Sequence, residues 1–504
     1  MPMDSLTKYI EKNGGRINAE MAMYLGALEN IRKVSPEIAS NIVRELSDQR
    51  TEYLKLIASE NFSSIACQSA MGNLLTDKYA EGYPMHRFYA GCDNVDAIEE
   101  RACHLACKLF GAEHAYVQPH SGADANLCAY WAILSQRVEM PALEAMGVTN
   151  VSNMSQEDWT KIRELCHNQR LMGLDYYSGG HLTHGYRQNI SAQLFESYSY
   201  TVDRETGLID YDELQRQAEE VRPLILLAGY SAYPRKLDFR RMAEIAHSVG
   251  AVFMVDMAHF AGLVAGGVFV DEYNPVLWAD VVTTTTHKTL RGPRGGMILC
   301  KSEFADAVDK GCPLVIGGPL PHVIAAKAIA FEEALSDKYK DYARRIVENS
   351  KAMANAFAEE HIPVATDGTD NHLMLIDVTG FGLNGRQAES ILRECGITLN
   401  RNALPFDKNG PWYTSGLRIG TPAVTTLGMG QNEMKQIASI IAVVLKNSKP
   451  KLLTKGENAG KLSKNKAECH EEVIREANLR VRELLKKFPL YPELDLDFIK
   501  EEFL

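Results

Sequence analysis

A β-branched run, Val281–Val282–Thr283–Thr284–Thr285–Thr286, ends in His287 and Lys288, and a Gly/Pro-rich turn through Gly292, Pro293, Gly295 and Gly296 follows. A lysine at the end of a buried strand is desolvated, which lowers its pKa and makes it a usable nucleophile for a Schiff base. The hydroxyls ahead of it can bond a phosphate or a ring oxygen. Taken alone, the run reads equally well as an ordinary strand ending in a surface lysine. One unit upstream, however, the apolar strand Val252–Val255 delivers Asp256, with Ala258 and His259 behind it. Open α/β sheets bind ligands at the carboxyl ends of their strands. Pyridoxal phosphate needs a carboxylate to pair with its pyridinium nitrogen and keep the ring an electron sink. Strand–Asp followed by strand–Lys supplies both groups.

Three further pieces fit the same chemistry. Gln118–Pro119–His120–Ser121–Gly122–Ala123–Asp124–Ala125–Asn126 is a strand-to-helix junction of small residues whose first N–H groups can hold a phosphate. It is neither a GxGxxG nor a Walker loop. Gly179–Gly180–His181–Leu182–Thr183–His184–Gly185 carries an HxxH that invites zinc, but no carboxylate or cysteine stands at ligand spacing in the sequence; an imidazole stacked on a cofactor ring suits the glycines better. Leu417–Arg418–Ile419–Gly420–Thr421–Pro422 sets one arginine in a short apolar strand, suited either to bidentate capture of a carboxylate or to a structural ion pair.

These residues need a scaffold. Strand patterns at 115–118, 224–227, 252–255 and 281–284 alternate with helical patterns at 212–221 and 240–249, which argues for an α/β domain with a largely parallel sheet. A second section, 331–445, has strands near 373–378 and 418–420 and helices at 386–395 and 431–445. The first residues are helical, with Met21, Leu25, Leu28 and Ile31 on one stripe. The expected division is a helical arm over 1–52, a large cofactor domain over 53–330 and a small domain over 331–504. Residues 138–169 read as an insert with a helix start at Ser155–Asp158. Residues 447–466, with six lysines and with Gly456 and Gly460, read as a solvated linker, anion binding being the sharper alternative. Acidic residues outnumber basic ones, 65 to 54, for a net charge of −11, which speaks against a nucleic-acid coat protein. No apolar run is long enough to span a membrane, the N-terminus has no apolar signal region, and ten dispersed cysteines suit a reducing cytoplasm.

The ordered set Leu56–Ile57–Ala58–Ser59–Glu60–Asn61–Phe62, Tyr79–Ala80–Glu81–Gly82–Tyr83–Pro84, VDMAH at 255–259, TTTTHKTLRGPRGG at 283–296 and LRIGTPA at 417–423 resembles serine hydroxymethyltransferase over most of the chain. The resemblance implies a fold type I enzyme: a large α/β domain with a mostly parallel seven-stranded sheet between helices, a smaller α+β C-terminal domain and a helical N-terminal arm. It implies interconversion of serine plus tetrahydrofolate with glycine plus 5,10-methylenetetrahydrofolate through aldimine and quinonoid intermediates. Pyridoxal phosphate would be the cofactor, tetrahydrofolate the co-substrate, and no metal is called for. Lys288 would hold the cofactor, Asp256 would pair with its ring nitrogen and His181 would stack on the ring. Ser231 and His259 would lie near its phenolic oxygen, and Ser121, Gly122 and His287 at its phosphate. Tyr79, Gly317 and Gly318 would reach the phosphate of a neighbouring subunit's cofactor, so an obligate homodimer with shared sites is implied; whether two dimers pair into a tetramer stays open. Arg418 and Ser59 would clamp the substrate carboxylate, Glu81 would transfer a proton from a position shielded from water, and Tyr89 and Thr285 would position the amine and the lysine. Arg294 would sit near the exchange, and the folate would rest over Gly180, Leu182 and Asn402.

Some positions depart from the family pattern. Asp124 stands where the family has an uncharged residue, and pointing inward it would weaken retention of a phosphate dianion. Ser178, after Tyr176 and Tyr177, replaces a common histidine beside the expected folate position, and Ile316 replaces a polar residue. The change at Tyr176–Ser178 keeps a folate-independent aldolase of the same cofactor class in view, while residues 447–466 keep a binding or scaffold role in view.

Overall fold

The computed structural model describes residues 4–148, 152, 154–455 and 459–504. Its centre is one sheet built from β1 (His114–Tyr116), β2 (Arg170–Leu174), β3 (Glu196–Tyr200), β4 (Ile225–Gly229), β5 (Val252–Asp256), β6 (Val281–Thr285) and β7 (Gly296–Cys300), in the order β1-β7-β6-β5-β4-β2-β3. The run β6-β5-β4-β2-β3 is parallel, and β7 is antiparallel to both of its neighbours. Strands β4 to β7 are buried along their whole length, which is why they read as continuous apolar and β-branched runs rather than alternating ones. Register places Gly229 beside Asp256 and Asp256 beside Thr283, so the carboxyl ends of three strands share one row. Phe239, Met242, Phe260 and Phe331 cover one face of the sheet, and Tyr130, Ile133, Phe304 and Val308 cover the other.

A smaller antiparallel sheet follows: β8 (Leu373–Asp377), β9 (Asn400–Asn402) and β10 (Gly416–Gly420), ordered β8-β10-β9. The helix Gly385–Glu394, opened by an Asn384–Gln387 capping box, and the helix Gln431–Lys446 bury Ile391, Leu392, Ile437 and Ile441 against it. The helix Asp337–Glu359 runs across both cores, giving Tyr339 and Ile346 to the large one and Met353 and Phe357 to the small one. Leu54 and Leu56 pack in the small core, where Leu54–Lys55 pairs with Ile397–Thr398.

The arm consists of the helices Ser5–Lys12, Ala19–Val34 and Pro36–Thr51, and its stripe of Met21, Leu25 and Leu28 is buried against Leu496, Ile499 and Phe503 of the C-terminal helix Leu496–Phe503. Its outer side keeps Val34 and Ile38 exposed. Within the insert, the Ser155–Asp158 capping box opens the helix Gln156–His167 as expected; residues 149–151 and 153 lie outside the described part.

The expected linker over 447–466 is instead a β-hairpin, β11 (Ser448–Leu452) paired antiparallel with β12 (Leu462–Cys469). Ser448, Ser463 and Ala467 turn inward while the lysines face water, so the few inward positions are hidden in the charge run. Gln387 Nε2 donates to the Ser463 carbonyl at 2.6 Å and Asn384 Nδ2 to that of Lys464 at 3.0 Å, so the hairpin is docked on the helix Gly385–Glu394. Gly456 lies outside the described residues. Among the described residues no helix is long and apolar enough to cross a membrane.

Candidate active site

At the carboxyl ends of β4, β5 and β6 lies a cavity of about 290 Å³. Ser59, Ser121, Gly122, His181, Ser231, Asp256, His259, Thr285, His287, Lys288 and Arg294, all singled out from the sequence, line it. Strand β5 ends on Asp256. Strand β6 ends on Thr285, and a short turn then carries Lys288 at φ 57, a left-handed conformation rare for a residue with a Cβ. Burial pulls the Lys288 amine down from 10.5 to about 8; the charge of Asp256 opposes this, and Arg418 and Arg294 add to it. A sizeable fraction of this amine is therefore neutral near physiological pH.

Asp256 is buried, which by itself would raise its pKa. The His184 hydrogen bond and charge, the charge of His181 and a hydrogen bond from Asn126 outweigh burial and hold the carboxyl well below its ordinary range. Asn126 Nδ2 donates to Oδ2 at 2.9 Å, His184 Nε2 lies 3.2 Å from the same oxygen, and the Ala258 N–H donates to Oδ1 at 3.0 Å. The result is a fixed anion at the cavity floor. The second histidine of HxxH thus serves to orient Asp256. The carboxylate missing at ligand spacing in sequence is supplied in space: ligand atoms of His181, His184 and Asp256 lie within 4.8 Å of one another. Within that group His184 contacts Asp256 and His181 contacts Thr183.

Burial and the charge of His184 push the His181 imidazole down to about 4. Its Nδ1 accepts from the Thr183 N–H at 3.2 Å and pairs with the Thr183 hydroxyl at 2.7 Å, which leaves the proton on Nε2. A neutral ring held by two contacts is suited to lie flat on an aromatic ligand. Gly180 behind it is obligatory, because a Cβ there would stand 2.0 Å from the Leu174 carbonyl oxygen.

Ser121 caps the helix Gly122–Leu134 by accepting from the Asp124 N–H at 3.1 Å. Gly122 and Ala123, in the first turn, line the cavity, and their N–H groups have no intrahelical acceptor. A Cβ on Gly122 would meet Thr285 Cγ2 at 2.7 Å, so helix and strand approach as closely as a small cradle requires. Asp124 stands in the first turn of this helix but is not among the residues lining the cavity. His287 Nδ1, on the cavity wall, is buried and lacks a hydrogen-bond partner. The residues fit pyridoxal phosphate: a partly neutral lysine, a fixed carboxylate, a flat neutral imidazole and a helix start with free N–H groups.

Arg418 projects from β10. Its Nε donates to Asn400 Oδ1 at 3.1 Å and its Nη1 to the Ser231 carbonyl at 2.6 Å. Burial lowers it to about 10, and its contacts are neutral, so the alternative of a structural ion pair is not what the chain builds. A buried guanidinium without a carboxylate calls for an anionic ligand.

Glu81, Tyr79, Tyr89, Gly317 and Gly318 are not on this wall. They form a second group at the surface, where Tyr79 and Tyr89 hydroxyls lie 3.4 and 3.3 Å from the two Glu81 oxygens and Tyr79 packs on Gly318. Within one chain Glu81 is therefore not shielded from water. Leu182 stands half-exposed at the rim, and Asn402 on β9 donates to the Ala403 carbonyl at 2.7 Å. Ser178 is buried and accepts from the Val202 N–H at 3.4 Å, so it belongs to the scaffold rather than to the rim. Ile316 is buried as well.

Sequence reasoning missed several members. Asn126 joins Asp256, Thr183 and Thr283; His372 contacts His259 at 3.2 Å; Asn61 and Asn400 hold Lys288 and Arg418. Lys327, fully buried, donates to the carbonyls of Val117, Pro119 and Gly296 and so ties the phosphate-side loop to β7. Asn126 could have been found as an amide on the otherwise apolar face of the helix Gly122–Leu134.

Comparison with known proteins agrees with this geometry. The family model described as serine hydroxymethyltransferase matches residues 31–167 and 148–441. A serine hydroxymethyltransferase of Treponema pallidum (strain Nichols) is 61% identical over 488 residues, 97% of this chain and 84% of that protein. One from Salinispora tropica is 54% identical over 480 residues, 95% of this chain and 99% of that protein, and one from Cutibacterium acnes is 52% identical over 474 residues, 94% and 96%. With the motifs, the seven-stranded fold and the Lys288 cavity in agreement, the chain belongs to the serine hydroxymethyltransferase family.

Proposed function

We propose that this chain is a pyridoxal-phosphate-dependent glycine hydroxymethyltransferase that interconverts L-serine plus tetrahydrofolate with glycine, 5,10-methylenetetrahydrofolate and water. The observation that carries the reading is the placement of Lys288 and the anchored Asp256 at the carboxyl ends of the adjoining strands β6 and β5, with the carboxylate-free guanidinium of Arg418 reaching from β10 of the small sheet to the Ser231 carbonyl on the cavity wall. When bound, pyridoxal phosphate supplies a ring that accepts the electron pair of a bond breaking at the amino acid's Cα. Lys288 would hold it covalently through Nζ, with Asp256 at its ring nitrogen, His181 on its face, Ser231 and His259 near its phenolic oxygen, and Ser121, Gly122 and His287 at its phosphate.

The chain's own residues do the positioning. Arg418 and Ser59 grip the substrate carboxylate, which fixes which Cα bond stands perpendicular to the ring. Thr285, whose hydroxyl donates to the Ala258 carbonyl at 3.2 Å, keeps the end of β6 in place beside Lys288. Glu81 holds and moves the proton at the hydroxymethyl oxygen, and Tyr89 orients the amine. Gly180, Leu182 and Asn402 carry the folate.

Tyr79, Glu81, Tyr89, Gly317 and Gly318 act on the neighbouring chain's cofactor, so the working unit is a homodimer. Support comes from the separation of this group from its own Lys288 cavity and from its exposed surroundings, which include Met85 and Phe88. The functional division is the arm 1–52, the large domain 53–330 and the small domain 331–504, and the site of action is the cytoplasm, in keeping with cysteines used as free thiols.

Serine-to-glycine conversion measured with and without tetrahydrofolate tests the reading. Conversion that requires folate is expected, together with a long-wavelength absorption band from glycine that folate enhances. Full-speed cleavage of a β-hydroxy amino acid without folate would transfer the chain to the aldolases.

A further inference from the structure

Behind the small sheet lies a second cleft, of about 650 Å³, between the helix Gly385–Glu394 and the lysine-bearing hairpin. Four cations line it: Arg386 and Arg393 from the helix, Arg401 from β9 and Lys466 from β12. Two carboxylates, Glu389 and Glu394, also line it. Glu389 is already used: its Oε2 accepts from Arg401 Nη1 at 2.5 Å and its Oε1 from the Arg401 N–H at 3.3 Å. Arg386 is left over. Its Nη1 is buried without a hydrogen-bond acceptor, while its guanidinium lies 4.5 Å from the centre of the Trp412 ring. The Arg401 guanidinium lies 5.5 Å from that same ring. Two like charges thus lie near one indole, and the one carboxylate that pairs there goes to Arg401.

Among the described residues Arg386, Arg393 and Lys466 all line the cleft without an ion-pair partner, so an anion bound there meets positive charge that no carboxylate shares. The floor, formed by Tyr53, Ile57 and Leu399, is apolar. We infer that this cleft is a second binding site that takes a small organic polyanion, its phosphate or carboxylate groups on Arg386, Arg393 and Lys466 and its body on the apolar floor. The site is separate from the Lys288 cavity and shares no lining residue with it. The hairpin over 448–469 thereby gains a role, since Lys466 and Asn465 form one wall.

The test uses holoenzyme saturated with pyridoxal phosphate, so that the phosphate position of the active site is filled. Calorimetric titration with inorganic pyrophosphate and, separately, with citrate should give saturable binding to one site per chain by at least one of them. Pyrophosphate alone identifies a phosphate ligand, and citrate alone a carboxylate ligand. Arg386→Gln and the surface variant Lys466→Gln should each weaken that binding roughly tenfold or more, with serine turnover and circular dichroism unchanged. No saturable binding of either probe to the wild type, or equal affinity in both variants, would overturn the inference.

Discussion

Asn61 Nδ2 donates to the main-chain carbonyl of Lys288 at 2.8 Å across 227 residues of sequence, and the same nitrogen lies 2.6 Å from the Tyr342 hydroxyl. Lys288 sits at φ 57, so its backbone is strained where it presents the amine, and Asn61 is one of the contacts that holds it there. Asn61→Ala should cost about 1–2 kcal/mol of stability and lower turnover while Lys288 remains chemically intact. Borohydride reduction of the cofactor-loaded variant, followed by peptide mapping, should still locate the label on Lys288. A label on another lysine would show that Asn61 selects the nucleophile rather than steadying it.

Lys288 itself gives a sharper prediction. Lys288→Ala should abolish serine turnover while pyridoxal phosphate still binds non-covalently to the remaining contacts. In the wild-type apoenzyme, labelling of Lys288 by an aldehyde should follow the neutral amine and rise through a midpoint near 8 rather than near 10.5. A midpoint at the ordinary lysine value would mean that the surroundings do not desolvate the amine.

Arg418→Ala should weaken serine and glycine binding by about 100-fold, because it removes a charged two-point contact. Arg418→Lys should recover little of it, since one ammonium cannot reach Asn400, Ser231 and a carboxylate with the fixed fork of a guanidinium. Spectroscopic titration with glycine checks both. Unchanged affinity in Arg418→Ala would leave the substrate carboxylate without its clamp.

What the sequence made legible follows from local physics. The parallel strands are buried on both faces, so their Val, Ile and Thr runs stand out, and the residues at their carboxyl ends, Asp256 and Lys288, follow directly. Arg418 was visible for the same reason, as one charge inside an apolar strand. His372 and Asn400 were not, because each is a single polar residue with no local period to mark its partner; Asn126 left only the mark of one amide on an apolar helix face, with its partners 57 to 157 residues away. The hairpin over 448–469 was misread because its inward positions are Ser448, Ser463 and Ala467, too small and polar to announce a strand against the surrounding lysines. The pairing of His184 with Asp256 was equally out of reach, because the two residues lie 72 positions apart in sequence.

Acid sensitivity should trace to buried histidines. Burial, with the charges of Arg418 and Lys288, holds His372 down at about 3, and His259 is held well below its ordinary value chiefly by burial. The unfolded chain takes up protons on both near 6.5, whereas the folded chain does so only much lower. Their contribution to stability is therefore intact above about pH 6.5 and is lost as pH falls from there toward 3, by about 1.4 kcal/mol per pH unit for each. Urea unfolding of the apoenzyme at pH 7 and pH 5.5 should differ by about 3 kcal/mol from this pair. His372→Asn should remove about 1.4 kcal/mol of the difference between the two pH values, and an unaltered slope in that variant would remove His372 from the account.

Shared active sites can be tested by mixing two inactive chains. Lys288→Ala destroys the nucleophile of its own cavity but keeps Glu81; Glu81→Gln keeps Lys288 but spoils the surface group beside Tyr79 and Tyr89. If Glu81 serves the partner's cavity, a dimer of the two variants contains one site with both residues intact and one with neither. Random reassociation makes half of all dimers mixed, with one good site of two in each, so activity should return to about a quarter of the wild-type value. If Glu81 instead serves its own chain, no site in any mixture holds both residues, and the mixture stays as inactive as its parts. Native mass spectrometry of the mixture, with one variant isotopically labelled, shows the fraction of mixed dimers, so the absence of recovered turnover once they have formed would count directly against sharing.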